Sequence, residues 1–177
     1  MNYICQFFQS PRTFGSLVPS SRWLCNRMVE LANWEGVVTV AELGAGDGVL
    51  TRRLLDKLAL DAELDAYEIQ TDLVCKLQIL ATRDARLNVI SQSAEKLHRN
   101  YDIIFSCLPL SSIPTRVCIR ILRQIRERLV SGGSLILFQY TSLTEKLLSR
   151  YFDCTKIYEV RNFPPAWIYV CTSRSVR

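Results

Sequence analysis

Short apolar runs alternate along this chain with stretches in which apolar residues return every third or fourth position. The runs at 37–43, 64–69, 88–91, 101–107 and 134–140 are short and largely apolar, the first of them β-branched, and read as strands. The stretches at 48–60, 72–83 and 114–129 have the period of amphipathic helices. Ahead of them, Leu24, Met28, Leu31 and Ala32 predict a helix over 22–33, with Ser20 or Ser21 as its cap after Pro19. Behind them, the pattern predicts a helix over 143–152 and a closing pair of strands at 156–160 and 166–172. Gly132-Gly133 reads as the end of the 114–129 helix. Regular alternation of strand and helix argues for an α/β protein, with a parallel sheet covered on both faces. Residues 1–19 form an N-terminal arm broken by Pro11 and Gly15, and residues 20–177 form the core of one domain, 1–177.

The sharpest local signal lies where the first strand meets its helix: Val38-Val-Thr-Val-Ala-Glu-Leu-Gly-Ala-Gly-Asp-Gly-Val-Leu-Thr51. A strand, a tight turn and a helix N-terminus place backbone N–H groups around a small ligand. Gly44, Gly46 and Gly48 let the backbone turn sharply and approach it. A dinucleotide fingerprint would read G-x-G-x-x-G; here the spacing is G-x-G-x-G, with Glu42 before the loop and Asp47 inside it. Acids there repel a pyrophosphate and suit a cation such as an amino-acid sulfonium.

The loop resembles the E-x-G-x-G-x-G turn of class I S-adenosylmethionine-dependent methyltransferases. That resemblance implies a Rossmann-like fold: a mostly parallel seven-stranded sheet, helices on both faces and an antiparallel last strand. Ligands of open α/β sheets sit beyond the C-terminal strand ends. The strand ends carry Glu42 with Gly44, Ala45, Gly46 and Gly48, then Glu68 with Ile69, then Ser93-Ala94-Glu95, then Cys107-Leu-Pro-Leu110. Glu68 is placed to accept the ribose hydroxyls, and Ser93 or Glu95 to meet the adenine amine. Glu95 also reads as a helix-start acid. At the fourth strand end, the carbonyl of Leu108, ahead of Pro109, is placed to hold an amine acceptor free of a local N–H. Leu108 and Leu110 make that side apolar, which suits a lipid or another hydrophobic amine. The loop holds no His or Asp, so positioning is expected to dominate over a dedicated base.

Composition changes the picture in three ways. The seven cysteines form no C-x-x-C pair and there is one His, so no metal site is expected. Cys25, Cys107, Cys118 and Cys171 sit in apolar runs, which predicts buried reduced thiols and a cytoplasmic setting. No apolar run reaches the ~20 residues of a spanning helix, and the first residues show no cleavable signal pattern. A net charge of +5 permits contact with phosphates without demanding it.

Four further segments sharpen the resemblance: Pro11 to Arg22, Ser106 to Pro114, Leu137-Phe-Gln-Tyr140 and Arg161-Asn-Phe-Pro-Pro-Ala166. Together they resemble bacterial phospholipid N-methyltransferases, which are similar in turn to the ribosomal RNA adenine dimethyltransferases. The resemblance implies methylation of a phospholipid amine such as phosphatidylethanolamine, with S-adenosylmethionine as cofactor, at the inner face of a membrane. It puts Pro19, Ser20 and Ser21 at the mouth of the cofactor pocket, and Tyr140, Arg161 and Asn162 near the acceptor. Ala45, Asp47 and Ser93 depart from the residues common in the family, which leaves open a different hydrophobic acceptor or a cofactor-binding partner without transfer. Leu110 stands where the RNA enzymes carry a base-stacking aromatic, so nucleic acid is not the expected partner. Phe7 and Phe8 suit either a membrane anchor or a lid. The arginines from 116 to 128 suit either anionic headgroups or a solvated face. His98 takes no role in this reading.

Overall fold

The computed structural model describes residues 21–174. Its elements in chain order are α1 (Arg22–Glu30), β1 (Thr39–Leu43), α2 (Val49–Lys57), β2 (Glu63–Tyr67), α3 (Thr71–Ala81), β3 (Leu87–Ile90), β4 (Tyr101–Ser106), α4 (Thr115–Arg128), β5 (Leu129–Gln139), α5 (Glu145–Leu148), β6 (Phe152–Glu159) and β7 (Ala166–Ser173). The seven strands form one sheet in the order β3-β2-β1-β4-β5-β7-β6. The first five run parallel to one another, and β7 runs antiparallel to both β5 and β6.

Strand alternation divides the apolar residues between two layers. In β5, Leu135 and Leu137 join Val117, Ile121, Leu122 and Ile125 of α4 on one face. Ile136 and Phe138 join Leu24 and Met28 of α1 and Leu54 of α2 on the other. The strand order reverses at β1, which pairs with β2 on one side and β4 on the other. That is where an open α/β sheet leaves a crevice at its C-terminal edge. No helix among the described residues is long and apolar enough to cross a membrane.

Several expectations need correction. Gly132-Gly133 does not end a helix: α4 stops at Arg128 and both glycines lie inside β5. Gly132 takes φ +80°, and a Cβ on Gly133 would meet the Asp102 carbonyl at 2.8 Å. The glycines thus serve a register shift against β4. The helix expected over 143–152 is only the short α5, and its expected last residue, Phe152, opens β6, which begins four residues before the expected strand. Helix α1 ends at Glu30 rather than 33, and the Trp34 indole then donates back to the Val29 carbonyl at 2.9 Å. Cys171 is not a reduced thiol: it faces Cys154 across the β6–β7 pair and forms a disulfide with it. Antiparallel register across residues 154 and 171 created that pairing, which sequence spacing did not reveal.

Candidate active site

Between β1 and α2 the chain turns through Gly44, Gly46 and Gly48, with φ of +75°, +60° and +82°. L side chains resist that left-handed region. The amides of Gly44 and Ala45 donate to the Tyr67 carbonyl at 2.9 and 3.1 Å, which ties the turn to the end of β2. A Cβ on Gly44 would lie 2.9 Å from Cδ2 of Leu108, so this loop and the one after β4 touch there. A Cβ on Gly46 would meet nothing within 4 Å. The loop backbone is therefore closed against protein at Gly44 and open at Gly46.

Beneath the loop, Glu42 is fully buried. Its Oε2 accepts from the Thr51 hydroxyl at 2.6 Å, while its Oε1 is buried without a hydrogen-bond partner. Burial pushes its carboxyl up to about 8, and the nearby charges of Glu68 and Asp47 add to the rise. A buried carboxyl with an unpartnered oxygen beside two further acids fits a cationic ligand group, whose charge would favour its ionised form, and opposes an anionic one.

Glu68 lies just past β2 and is buried. Its Oε1 accepts from the amides of Ile69 and Gln70 at 2.7 and 3.0 Å, and its Oε2 from the Gly46 amide at 2.9 Å. Three backbone donors hold the carboxylate against the open part of the loop. A carboxylate has about four acceptor positions, so capacity remains for a ligand hydroxyl.

After β3, Ala94 is buried, and the Ser93 hydroxyl accepts from the Glu95 amide at 3.2 Å. Glu95 forms an ion pair with Arg120 of α4. Arg116 and Arg123 are exposed on the same helix, whose apolar side is buried. The segment carrying Ser93 is pinned further along. The Tyr67 hydroxyl lies 2.8 Å from both His98 Nδ1 and the Tyr101 hydroxyl, and Tyr101 donates to Asp65 at 2.8 Å. His98, given no role from sequence, thus closes a polar network that also includes the Arg99–Asp65 ion pair.

The loop after β4 departs from expectation at one point. The Leu108 carbonyl is not free: it accepts from the Leu110 amide at 2.9 Å and from the buried Gln139 side chain, through Nε2, also at 2.9 Å. Pro109 removes one donor, but the turn supplies another two residues on. Gln139 escaped the sequence reading because its contact depends on β5 lying beside β4. Cys107 is half-buried next to this loop, and burial raises its thiol well above the ordinary range, so it is not a thiolate at neutral pH.

Tyr140 follows β5, and its phenol is raised by burial and partly lowered by a hydrogen bond with Asn162. Asn162 is buried; its Oδ1 accepts from the Ser21 amide at 3.3 Å and its Nδ2 donates to the Pro164 carbonyl at 2.6 Å. Ser21 caps α1 by accepting from the Leu24 amide. Arg161 is held by Glu159 through its backbone amide and guanidinium, each at 2.9 Å. Ser21, Tyr140 and Asn162 thus meet at one corner of the C-terminal edge. Pro19 and Ser20, expected at the pocket mouth, and Phe7 and Phe8, expected as an anchor or a lid, lie outside the described residues.

No family profile matches the chain. It is 28% identical over 184 residues to the ornithine lipid N-methyltransferase of Singulisphaera acidiphila, covering 96% of this chain and 93% of that protein. Among solved structures it resembles the N-methyltransferase NodS from Bradyrhizobium japonicum WM9 in complex with S-adenosyl-L-homocysteine, with a TM-score of 0.74, 10% identity and coverage of 97% of this chain and 98% of that one. It also resembles TrmN from Thermus thermophilus, with a TM-score of 0.72, 17% identity and coverage of 85% of this chain and 48% of that one. The chain therefore has the Rossmann-like methyltransferase fold, and over nearly its whole length it is similar to a lipid N-methyltransferase.

Proposed function

We propose that this chain is an S-adenosylmethionine-dependent N-methyltransferase acting on the amine of a lipid, either a phospholipid such as phosphatidylethanolamine or an amino-acid lipid such as ornithine lipid. The observation that carries the reading is the pairing of an acid-lined, open glycine turn with an apolar acceptor loop in contact with it through Leu108 and Gly44. The lipid-methylating relative supports a lipid amine over a soluble one.

The cofactor would supply an electrophilic methyl on a sulfonium. Glu42, with its orphaned oxygen, would face the cationic end of that ligand, and Glu68 the ribose hydroxyls. Ile69 would flank the adenosine together with Ser93, Ala94 and Glu95. Ser21 would stand at the mouth of the site. The acceptor amine must arrive unprotonated and in line, in a site that excludes water. Leu108, Pro109 and Leu110 supply the dry wall. With the Leu108 carbonyl doubly occupied, an amine held there must displace the Leu110 amide, or else it binds through the oxygens of Gln139, Tyr140 or Asn162. No carboxylate or imidazole stands in the loop, so the amine gives its proton to water before it enters the dry site, and catalysis rests on placement.

Calorimetric titration with S-adenosylhomocysteine tests the cofactor site. Wild type should bind, and Glu68→Ala should bind at least about tenfold more weakly, for the loss of a charge-assisted hydrogen bond. Labelled methyl transfer to detergent-dispersed ornithine lipid and phosphatidylethanolamine then reads the acceptor. Absence of cofactor binding by the folded wild type refutes the methyltransferase reading. Binding without transfer to either lipid refutes the lipid part alone.

A further inference from the structure

The turn between β6 and β7, at the C-terminal edge of the sheet, displays exposed apolar side chains, and Leu143, 80% exposed, adds another after β5 on the same edge. Phe163 is 88% exposed and Val160 65%, and Trp23, at 44%, stands beside them. The Arg161 guanidinium lies 5.7 Å from the Trp23 ring, and that of Arg22 lies 5.0 Å from it. The turn is internally fixed: Glu159 binds the amide and the guanidinium of Arg161, and Asn162 bridges the Pro164 carbonyl and the Ser21 amide. Glu159, Arg161 and Asn162 are thus paired within the fold, while Phe163 and Val160 stand exposed. A rigid turn that displays an aromatic and a branched side chain pays little ordering entropy when those side chains are buried.

We propose that this turn, with Trp23, is a membrane-contact surface that seats the protein on a bilayer containing anionic lipid. The proposal rests on the lipid-amine reading above. Three features favour a lipid surface. Phe163 and Val160 stand exposed on the short connection between β6 and β7. Trp with flanking Arg suits the headgroup boundary, where an amphipathic ring lies between apolar and wet layers. Arg22 and Arg161 are exposed beside Trp23, with Glu159 paired to Arg161 and Glu30 acting on it from further off, and the chain as a whole carries +5, which complements an anionic leaflet. The surface also adjoins Tyr140 through Asn162, so seating it would bring the acceptor corner to the lipid headgroups.

Co-sedimentation with vesicles of phosphatidylcholine plus phosphatidylglycerol tests the inference. The variants are the double substitution Phe163→Ser with Val160→Ser, and Leu60→Ser as a control. Leu60 is 93% exposed but lies in the turn between α2 and β2, at the opposite end of the sheet. Wild type and Leu60→Ser should bind alike. The double variant should bind about tenfold or more weakly, the loss expected for two apolar side chains that no longer leave water. It should keep wild-type S-adenosylhomocysteine affinity and circular dichroism. No vesicle binding by wild type, undiminished binding by the double variant, or an equal loss in Leu60→Ser overturns the proposal. Failure of the lipid-amine reading shows separately, as absent transfer to dispersed lipid.

Discussion

Replacing Gln139 by Leu should cost little stability but much of the methyl transfer. Gln139 is buried, and its Nε2 donates to the Leu108 carbonyl at 2.9 Å. Leu keeps most of the volume, so the change removes one hydrogen bond and opens no large cavity. The carbonyl keeps the Leu110 amide as a donor and is not orphaned. The loss is then about 1 kcal/mol, the net worth of one neutral hydrogen bond, where a stranded carbonyl would cost up to about 3. For a chain of this size that is a fall in Tm of about 2–4 °C. The expected effect on transfer is larger, because Leu108 joins the loop after β4, proposed to hold the acceptor, to the glycine turn at Gly44. A displacement of the reacting groups by about 1 Å can cost about a hundredfold. Labelled transfer to a dispersed lipid amine should show kcat down by about tenfold to a hundredfold, with S-adenosylhomocysteine affinity unchanged. Gln139→Glu gives a second reading: its carboxylate would face a carbonyl oxygen with no proton to share, so its stability should improve as pH falls and the carboxyl regains a donor. A kcat within about twofold of wild type in Gln139→Leu would refute the reasoning.

Two further outcomes follow from the loop and its buried acid. Glu42 is held at about 8 in the folded protein, above its ordinary 4.5. Between those values the unfolded chain gives up a proton that the folded one keeps. Stability of the ligand-free protein therefore falls by about 1.4 kcal/mol per pH unit across that window and levels off above it. Glu42→Gln should flatten that slope in urea titrations, and identical slopes in the two proteins would disprove the assignment. Gly44→Ala and Gly46→Ala should separate stability from binding. Both pay about 1–2 kcal/mol for a left-handed alanine. Only Gly44→Ala also drives a methyl against Leu108, so it should unfold at lower denaturant than Gly46→Ala. Gly46→Ala should lose more S-adenosylhomocysteine affinity, since its methyl enters the open side of the turn; the reverse ranking would contradict the geometry.

The sequence by itself determined the elements whose logic is local. The glycine turn, its flanking acids and the alternation of strand and helix are written in residues adjacent along the chain, so β1, α2, β2 and β4 were legible to within a residue or two at most ends. Glu42, Glu68 and the Ser93 segment were placed at strand ends for the same reason. Only the tertiary structure decided what depends on which strands lie side by side. The insertion of β7 between β5 and β6 sets Cys171, whose place in an apolar run predicts a reduced thiol, against Cys154 in a disulfide. The pairing of β4 with β5 turns Gly132 and Gly133 from a helix end into a register shift, and brings Gln139 onto the Leu108 carbonyl. The fold of the chain end brings Asn162 to Ser21, across 141 residues. Periodicity and turn chemistry act over a few residues and leave their mark in local order. Hydrogen bonds and disulfides between distant strands are fixed by register and sheet order, which no short stretch of sequence encodes.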